Sequence, residues 1–103
     1  MARVVKRQRY ENEQPDYTDE YVIAYRLEDD GTYTIHAVER PSDPIQNNDE
    51  AHIDLKGTLV CVAKGKEPRS LERAEAVAFA WMLGYSVYVR TGKSPRGGFR
   101  VNV

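Results

Sequence analysis

The sequence contains one cysteine and two histidines, and this scarcity limits the chemistry that the chain can support. Cys61 has no second cysteine to pair with, which excludes an internal disulfide and favours a reduced, cytosolic setting. Together with His36 and His52 it falls short of the four ligands of a usual structural zinc site, and no catalytic signature surrounds these residues. We therefore expect no metal, no cofactor and no enzymatic activity. A meeting of Cys61 with a histidine in space is the one enzymatic alternative.

Long apolar segments are also missing. The longest uninterrupted apolar run covers eight residues, 76–83, whereas a transmembrane helix needs roughly 20. No apolar core follows the basic N-terminus, so the sequence lacks the pattern of a secretory signal. A chain of 103 residues is long enough to form one domain with its own core. These features favour a cytoplasmic protein without membrane contact.

The charge is unevenly distributed, although the formal net charge is only −1. Residues 1–10 carry four basic side chains and no acid. Residues 11–56 carry thirteen acids and three basic residues, and residues 57–103 carry eight basic residues and three acids. Opposite fields of this kind steer partners, but they do not identify them.

The first nineteen residues are polar, contain Pro15 and lack a sustained apolar period. We predict that residues 1–19 form an N-terminal tail that is flexible or docks on a partner, and that residues 20–103 form a single domain. Tyr10 and Tyr17 are unusual in a purely solvated segment and favour docking.

Alternating apolar residues predict two strands, over residues 20–27 and about 32–38. The intervening Asp29-Asp30-Gly31 is a strong hairpin signal. Residues 39–50 form a long loop with two prolines, which indicates a mobile or functional connection. A third extended run covers residues 51–63.

Residues 70–83 have the apolar period of a helix, with Ser70 as N-cap and Gly84 as the residue that ends it. Residues 85–90 and 99–103 alternate again and predict two further strands. We therefore predict an α+β fold in which one mainly antiparallel sheet of about five strands packs on a single helix, in the order β-β-β-α-β-β.

The predicted helix is apolar on more than its core-facing side. One stripe suits the core: Leu71, Ala74, Val77, Ala78, Trp81 and Met82. The outer face of its second half is apolar too, at Ala76, Phe79, Ala80 and Leu83. A helix that is apolar nearly all round should be buried nearly all round, so we predict that this outer face self-associates. The leading interpretation is a small non-catalytic interaction or accessory domain, with a homodimer or another protein as its partner.

The alternative is a nucleic-acid-binding module. The predicted C-terminal hairpin carries an aromatic residue among basic ones, which suits phosphate contacts and base stacking. Its candidate residues are Tyr88, Arg90, Lys93, Arg96 and Arg100, and the basic N-terminal tail could assist them. The pI of about 6.1 and the acidic central segment weigh against this alternative.

Overall fold

A computed structural model describes residues 1–47, 51–53 and 57–93 of the chain. Within these residues, three antiparallel strands lie side by side in the order of the chain, and one long helix follows. The elements are β1 (Arg3–Gln14), β2 (Tyr17–Leu27), β3 (Tyr33–Glu39) and α1 (Leu71–Thr91). The α+β class and the antiparallel sheet are confirmed. The predicted five strands and their order do not match this arrangement.

The hairpin between β2 and β3 forms where the sequence predicts it. Gly31 adopts a φ of +86°, a left-handed conformation that glycine reaches without steric cost. The backbone N–H of Glu28 donates to the carbonyl of Thr32 at 2.8 Å. The carboxylate of Asp30 accepts hydrogen bonds from the backbone and the hydroxyl of Thr32 at 2.9 and 2.6 Å. The Asp-Gly signal therefore works through both backbone freedom and a side-chain bond.

The N-terminal segment differs from the tail that the sequence suggested, because most of it forms β1. This strand pairs with β2 from Arg3 opposite Leu27 to Gln14 opposite Tyr17, with one shift of register between Val4 and Lys6. Pro15 lies in the tight turn between them. An edge strand tolerates many charged residues because one of its sides remains in water, so its apolar pattern is weak.

Helix α1 begins as predicted. The side chain of Ser70 accepts a hydrogen bond from the backbone N–H of Arg73 at 3.1 Å, which is the geometry of an N-cap. The predicted end at Gly84 is wrong, because the helix continues to Thr91. It ends at Gly92, whose φ is +82° and whose N–H donates to the carbonyl of Tyr88 at 2.7 Å.

The predicted strand over residues 85–90 is therefore wrong. Tyr85 and Tyr88 continue the buried helical stripe that begins at Trp81, and burial of three aromatic rings outweighs the local alternation. The last predicted strand, over residues 99–103, lies outside the described residues. Within the described part of the chain, no helix is long and apolar enough to cross a membrane.

The core lies between one face of the sheet and α1. The sheet contributes Tyr21, Ile23, Tyr25, Ile35 and Ala37, and the helix contributes Ala74, Ala78, Trp81, Met82, Tyr85 and Tyr88. The predicted core stripe is thus largely confirmed, although two of its residues, Leu71 and Val77, are only partly buried. The Tyr21 hydroxyl lies 3.1 Å from the Met82 carbonyl and 2.6 Å from the Ser86 hydroxyl, which joins β2 to the middle of the helix.

The third extended run does not form a regular strand among the residues described between 51 and 63. Two isolated bridges remain, His36 with Leu59 and Ile53 with Val60. Residues 58–60 nevertheless cover the outer edge of β3, since the N–H of Ala37 donates to the Thr58 carbonyl at 2.8 Å. We name this side of the sheet the covered edge.

Candidate interaction surface

Tyr88, the aromatic residue of the proposed nucleic-acid hairpin, is fully buried. Its hydroxyl donates to the carboxylate of Asp43 at 2.8 Å and accepts the backbone N–H of Asn47 at 2.9 Å. Burial raises the pKa of the Tyr88 hydroxyl above its ordinary value. This ring holds the segment after β3 and is not exposed for base stacking.

Arg90 is also engaged within the chain. Its guanidinium binds the buried carboxylate of Asp19 through two hydrogen bonds, at 2.7 and 2.9 Å. It also lies 3.6 Å from the centroid of the Tyr17 ring. The hydrogen bond from Arg90 holds the pKa of the Asp19 carboxyl below its ordinary value. The pair therefore fastens the end of α1 to the tip of the β1–β2 hairpin.

The structure describes three of the five candidate nucleic-acid residues, and these three do not form one exposed surface. Tyr88 and Arg90 belong to a helix and face internal partners, whereas Lys93 lies exposed just after it. Arg96 and Arg100 lie outside the described residues. Residues 85–90, which were predicted as the first strand of the hairpin, are helical. The hairpin that would have aligned the five residues therefore does not form as predicted.

Three aromatic residues of α1 anchor the connection that follows β3. The Trp81 indole donates to the Ala51 carbonyl at 2.9 Å, and the Tyr85 hydroxyl donates to the Pro41 carbonyl at 3.0 Å. An open depression of about 400 Å³ lies beside Tyr85. Glu39 and Asp43 both line it, and Asp43 already accepts hydrogen bonds from two backbone N–H groups of its own loop and from Tyr88. These polar groups support the loop itself.

Two of the three histidine and cysteine residues are neighbours, because the backbone N–H of Cys61 donates to the His52 carbonyl at 2.9 Å. His36 lies between two threonine hydroxyls, with Nε2 3.0 Å from Thr34 and Nδ1 3.1 Å from Thr58. Burial lowers its pKa and favours the neutral ring. Cys61 is exposed, although the residues before it in the sequence, Leu59 and Val60, are apolar. The described residues hold no group of three or more His, Cys, Asp or Glu placed to bind a metal ion.

The residues predicted for self-association do form one surface. Phe79 and Leu83 are 54% and 52% exposed, one helical turn apart, with the half-buried Ala76 and Ala80 beside them. We name these four residues the apolar flank of α1. The ring of Tyr10 meets Phe79 edge-on, with centroids 5.4 Å apart. The apolar flank therefore begins above β1, at the side of the sheet opposite the covered edge.

The outer side of β1 is the part that sequence reasoning missed. β1 is the terminal strand of the sheet, and none of the described residues pairs with its outer edge. We name it the open edge. Its signal in the sequence is a period of two between residues 7 and 13, in which charged residues alternate with uncharged ones. A search for apolar alternation passes over such a strand.

No family model, no curated protein and no solved structure matches this chain. The apolar flank and the open edge are therefore the features of the molecule that point to a function.

Proposed function

We propose that this chain is a small non-catalytic interaction domain that self-associates as a homodimer through the apolar flank of α1. The observation that carries the proposal is the exposure of Phe79 and Leu83 on a helix whose opposite side forms the core. Scattered single apolar residues are ordinary on protein surfaces, but adjacent large ones mark interaction sites.

A second copy of the chain suits this surface. Most soluble oligomers pair the same patch across a two-fold axis, which buries both copies of the patch at once. Ala76 and Ala80 have small side chains, so a partner can approach the helix closely at their positions. The side chain of Tyr10 covers only one edge of the Phe79 ring, and half of that residue remains exposed.

The alternative, nucleic-acid binding, has less support. Tyr88 is buried, and the charge of Arg90 is matched by Asp19. The formal net charge of −1 also gives the whole chain no attraction for a polyanion. These observations leave the apolar flank as the better supported surface.

The test is the mass of the protein in solution, measured by light scattering or sedimentation at micromolar concentrations. We expect the unmodified protein to be dimeric and Phe79→Glu to be a folded monomer, because a two-fold contact would bury a charge from each copy. Leu59→Glu is the matched control. Leu59 is 43% exposed but lies beside the covered edge, so this variant should remain dimeric. An unmodified protein that stays monomeric at high concentration would refute the proposal.

A further inference from the structure

In the middle of β1, the charges change sign when the segment is read in the reverse direction. Residues 7–13 read Arg-Gln-Arg-Tyr-Glu-Asn-Glu, and Tyr10 is at the centre. Positions at equal distance on either side of Tyr10 carry opposite charges, or two amides. An antiparallel copy of the same segment would therefore meet it with complementary charges.

The charged members of this segment share one face of the sheet. Tyr10 contacts Phe79 of the helix, so the even-numbered side chains near it face α1. Successive side chains of a strand point to opposite faces, which directs the odd-numbered residues away from the helix. These residues are Arg7, Arg9, Glu11 and Glu13, and all four are exposed.

These charges are poorly matched within the chain. Glu11 lies directly opposite Glu20 of β2, and like charges at facing positions destabilise a sheet. Arg7 and Glu13 lie opposite uncharged residues of β2. Among the described residues the four form one ion pair, between Arg9 and Glu20 at 3.5 Å, and both side chains there are more than half exposed.

The backbone beside these side chains is also available. β1 has twelve residues, no internal proline and an outer edge that no described residue pairs with. Every second residue of an antiparallel strand directs its N–H and C=O away from the neighbour it already has. Such an edge is a template for pairing with another chain, and proteins protect it by shortening or covering it, by bulges or by charged side chains. In β1 the register shift lies before residue 7, and the charges of residues 7–13 match those of a second copy.

We infer that β1 pairs antiparallel with β1 of a second copy, across a two-fold axis that passes through Tyr10. Arg9 then lies opposite the partner's Glu11, and Arg7 lies opposite the partner's Glu13. Symmetry repeats both contacts, so four opposite-charge pairs form on the outer face. This inference rests on the proposed self-association and assigns its geometry.

The charges also select this register over its neighbours. Moving the axis to Gln8 would place Arg7 opposite the partner's Arg9, and moving it to Asn12 would place Glu11 opposite the partner's Glu13. Axes at Arg9 or Glu11 would bring that residue against its own copy. Each alternative introduces like charges at facing positions, which costs free energy. Only the axis at Tyr10 gives four attractive pairs without a repulsive one.

This pairing unites the open edge and the apolar flank in one interface. The two three-stranded sheets become one sheet of six strands, with both helices on the same face. Tyr10 lies on the axis, and Phe79 packs on Tyr10, so the two copies of Phe79 are brought close to the axis. The flank of each helix then faces the other copy.

The test uses two variants that cannot pair with themselves but can pair with each other. Arg7→Glu/Arg9→Glu makes all four positions acidic, and Glu11→Arg/Glu13→Arg makes all four basic. We expect each variant alone to be monomeric, with a self-dissociation constant raised by about 100-fold or more from the loss and reversal of four pairs. An equimolar mixture should form a heterodimer, because all four attractive pairs are then restored.

Two controls separate charge from position. Lys64→Glu/Lys66→Glu changes the net charge as much as the acidic variant does, at exposed positions outside the sheet, and should remain dimeric. Arg9→Glu/Glu11→Arg exchanges two charges within one chain and leaves the composition unchanged. This exchange variant should remain a homodimer, because opposite charges still face each other. Circular dichroism would reveal whether the all-acidic or the all-basic variant fails to fold. In that case the exchange variant, which keeps both signs of charge, still tests the register.

The outcomes distinguish this inference from the proposed function. A monomeric unmodified protein overturns both. A dimeric protein whose acidic and basic variants remain homodimers overturns the β1 pairing and leaves the apolar flank as the interface. Folded monomeric variants that fail to form a heterodimer, or a folded exchange variant that stays monomeric, also overturn the Tyr10 register. Monomeric variants that associate only with each other support it.

Discussion

The two edges of the sheet differ in how their backbone is satisfied. At the covered edge, the N–H of Ala37 donates to Thr58 and the N–H of Val60 donates to Ile35, at 2.8 and 2.9 Å. At the open edge, no described residue binds the outer side of β1. One edge is thus completed by the chain itself, and the other has the properties of a surface for a partner.

The two sides of helix α1 also differ, in how deeply their large apolar side chains are buried. Toward the segments beyond the covered edge it presents Trp81, Tyr85 and Tyr88, each buried and each hydrogen-bonded to the connection after β3. Above the open edge it presents Phe79 and Leu83, which remain half exposed. A single helix can therefore hold a domain together on one side and offer apolar surface on the other.

The largest expected effect is at Trp81, on the side of α1 that is buried against the connection after β3. Trp81→Ala should lower the free energy of unfolding by about 3–5 kcal/mol, the usual cost of truncating a large buried aromatic residue. Urea denaturation, at a concentration where the protein is monomeric, measures this loss. Leu83→Ala on the flank should cost less than about 1 kcal/mol under the same conditions. Equal losses would break the comparison between the two sides.

A smaller effect is expected at the ion pair between the hairpin tip and the helix end. Asp19→Asn should lower the stability by about 1–3 kcal/mol, because it removes the negative charge that pairs with Arg90. The Asp19 side chain is only 8% exposed, so water replaces this interaction poorly. Glu20→Gln removes the partner of an exposed ion pair and should change the stability by less than about 0.5 kcal/mol. Urea denaturation of both variants at neutral pH tests the difference. Comparable losses would show that burial of Asp19 adds nothing.

The pH dependence gives the smallest effect and probes the covered edge. The folded-state pKa of His36 is lowered, so the unfolded chain takes up a proton first as the pH falls. Its stabilising contribution is therefore complete above the ordinary histidine pKa of about 6.5 and is lost between that value and the folded-state pKa. Unfolding curves measured between pH 7.5 and pH 5 should show this decline. His36→Gln should flatten the curve in this range, and an unchanged slope would contradict the assignment.

Local signals predicted the β2–β3 hairpin and the start of α1 correctly. Both depend on contacts between residues close in the chain: the Asp30 carboxylate bonds Thr32, and the Ser70 side chain bonds the Arg73 N–H. Such contacts can be recognised from residue types and spacing alone. The apolar flank was also visible in the sequence, since it follows directly from helical periodicity over residues 76–83.

The rest of the fold depends on contacts between distant residues. Glycine at position 84 looked like a helix end, but the core that Tyr85 and Tyr88 join is completed by β2 and β3. β1 looked like a tail because its alternating residues are charged, and its identity as a strand comes from pairing with β2. Likewise, nothing local to Arg90 indicates that Asp19, 71 positions earlier, binds it.

The sequence by itself determined the turn chemistry, the helix start, the apolar flank and the reversed charge pattern around Tyr10, because each is a property of neighbouring residues. The tertiary structure alone decided that this charge pattern lies on an open edge beside Phe79, that Tyr88 is buried and that Arg90 pairs with Asp19. The physical reason is that burial and strand pairing are collective. They depend on which distant segments fill the space around a residue, and residue spacing does not carry that information.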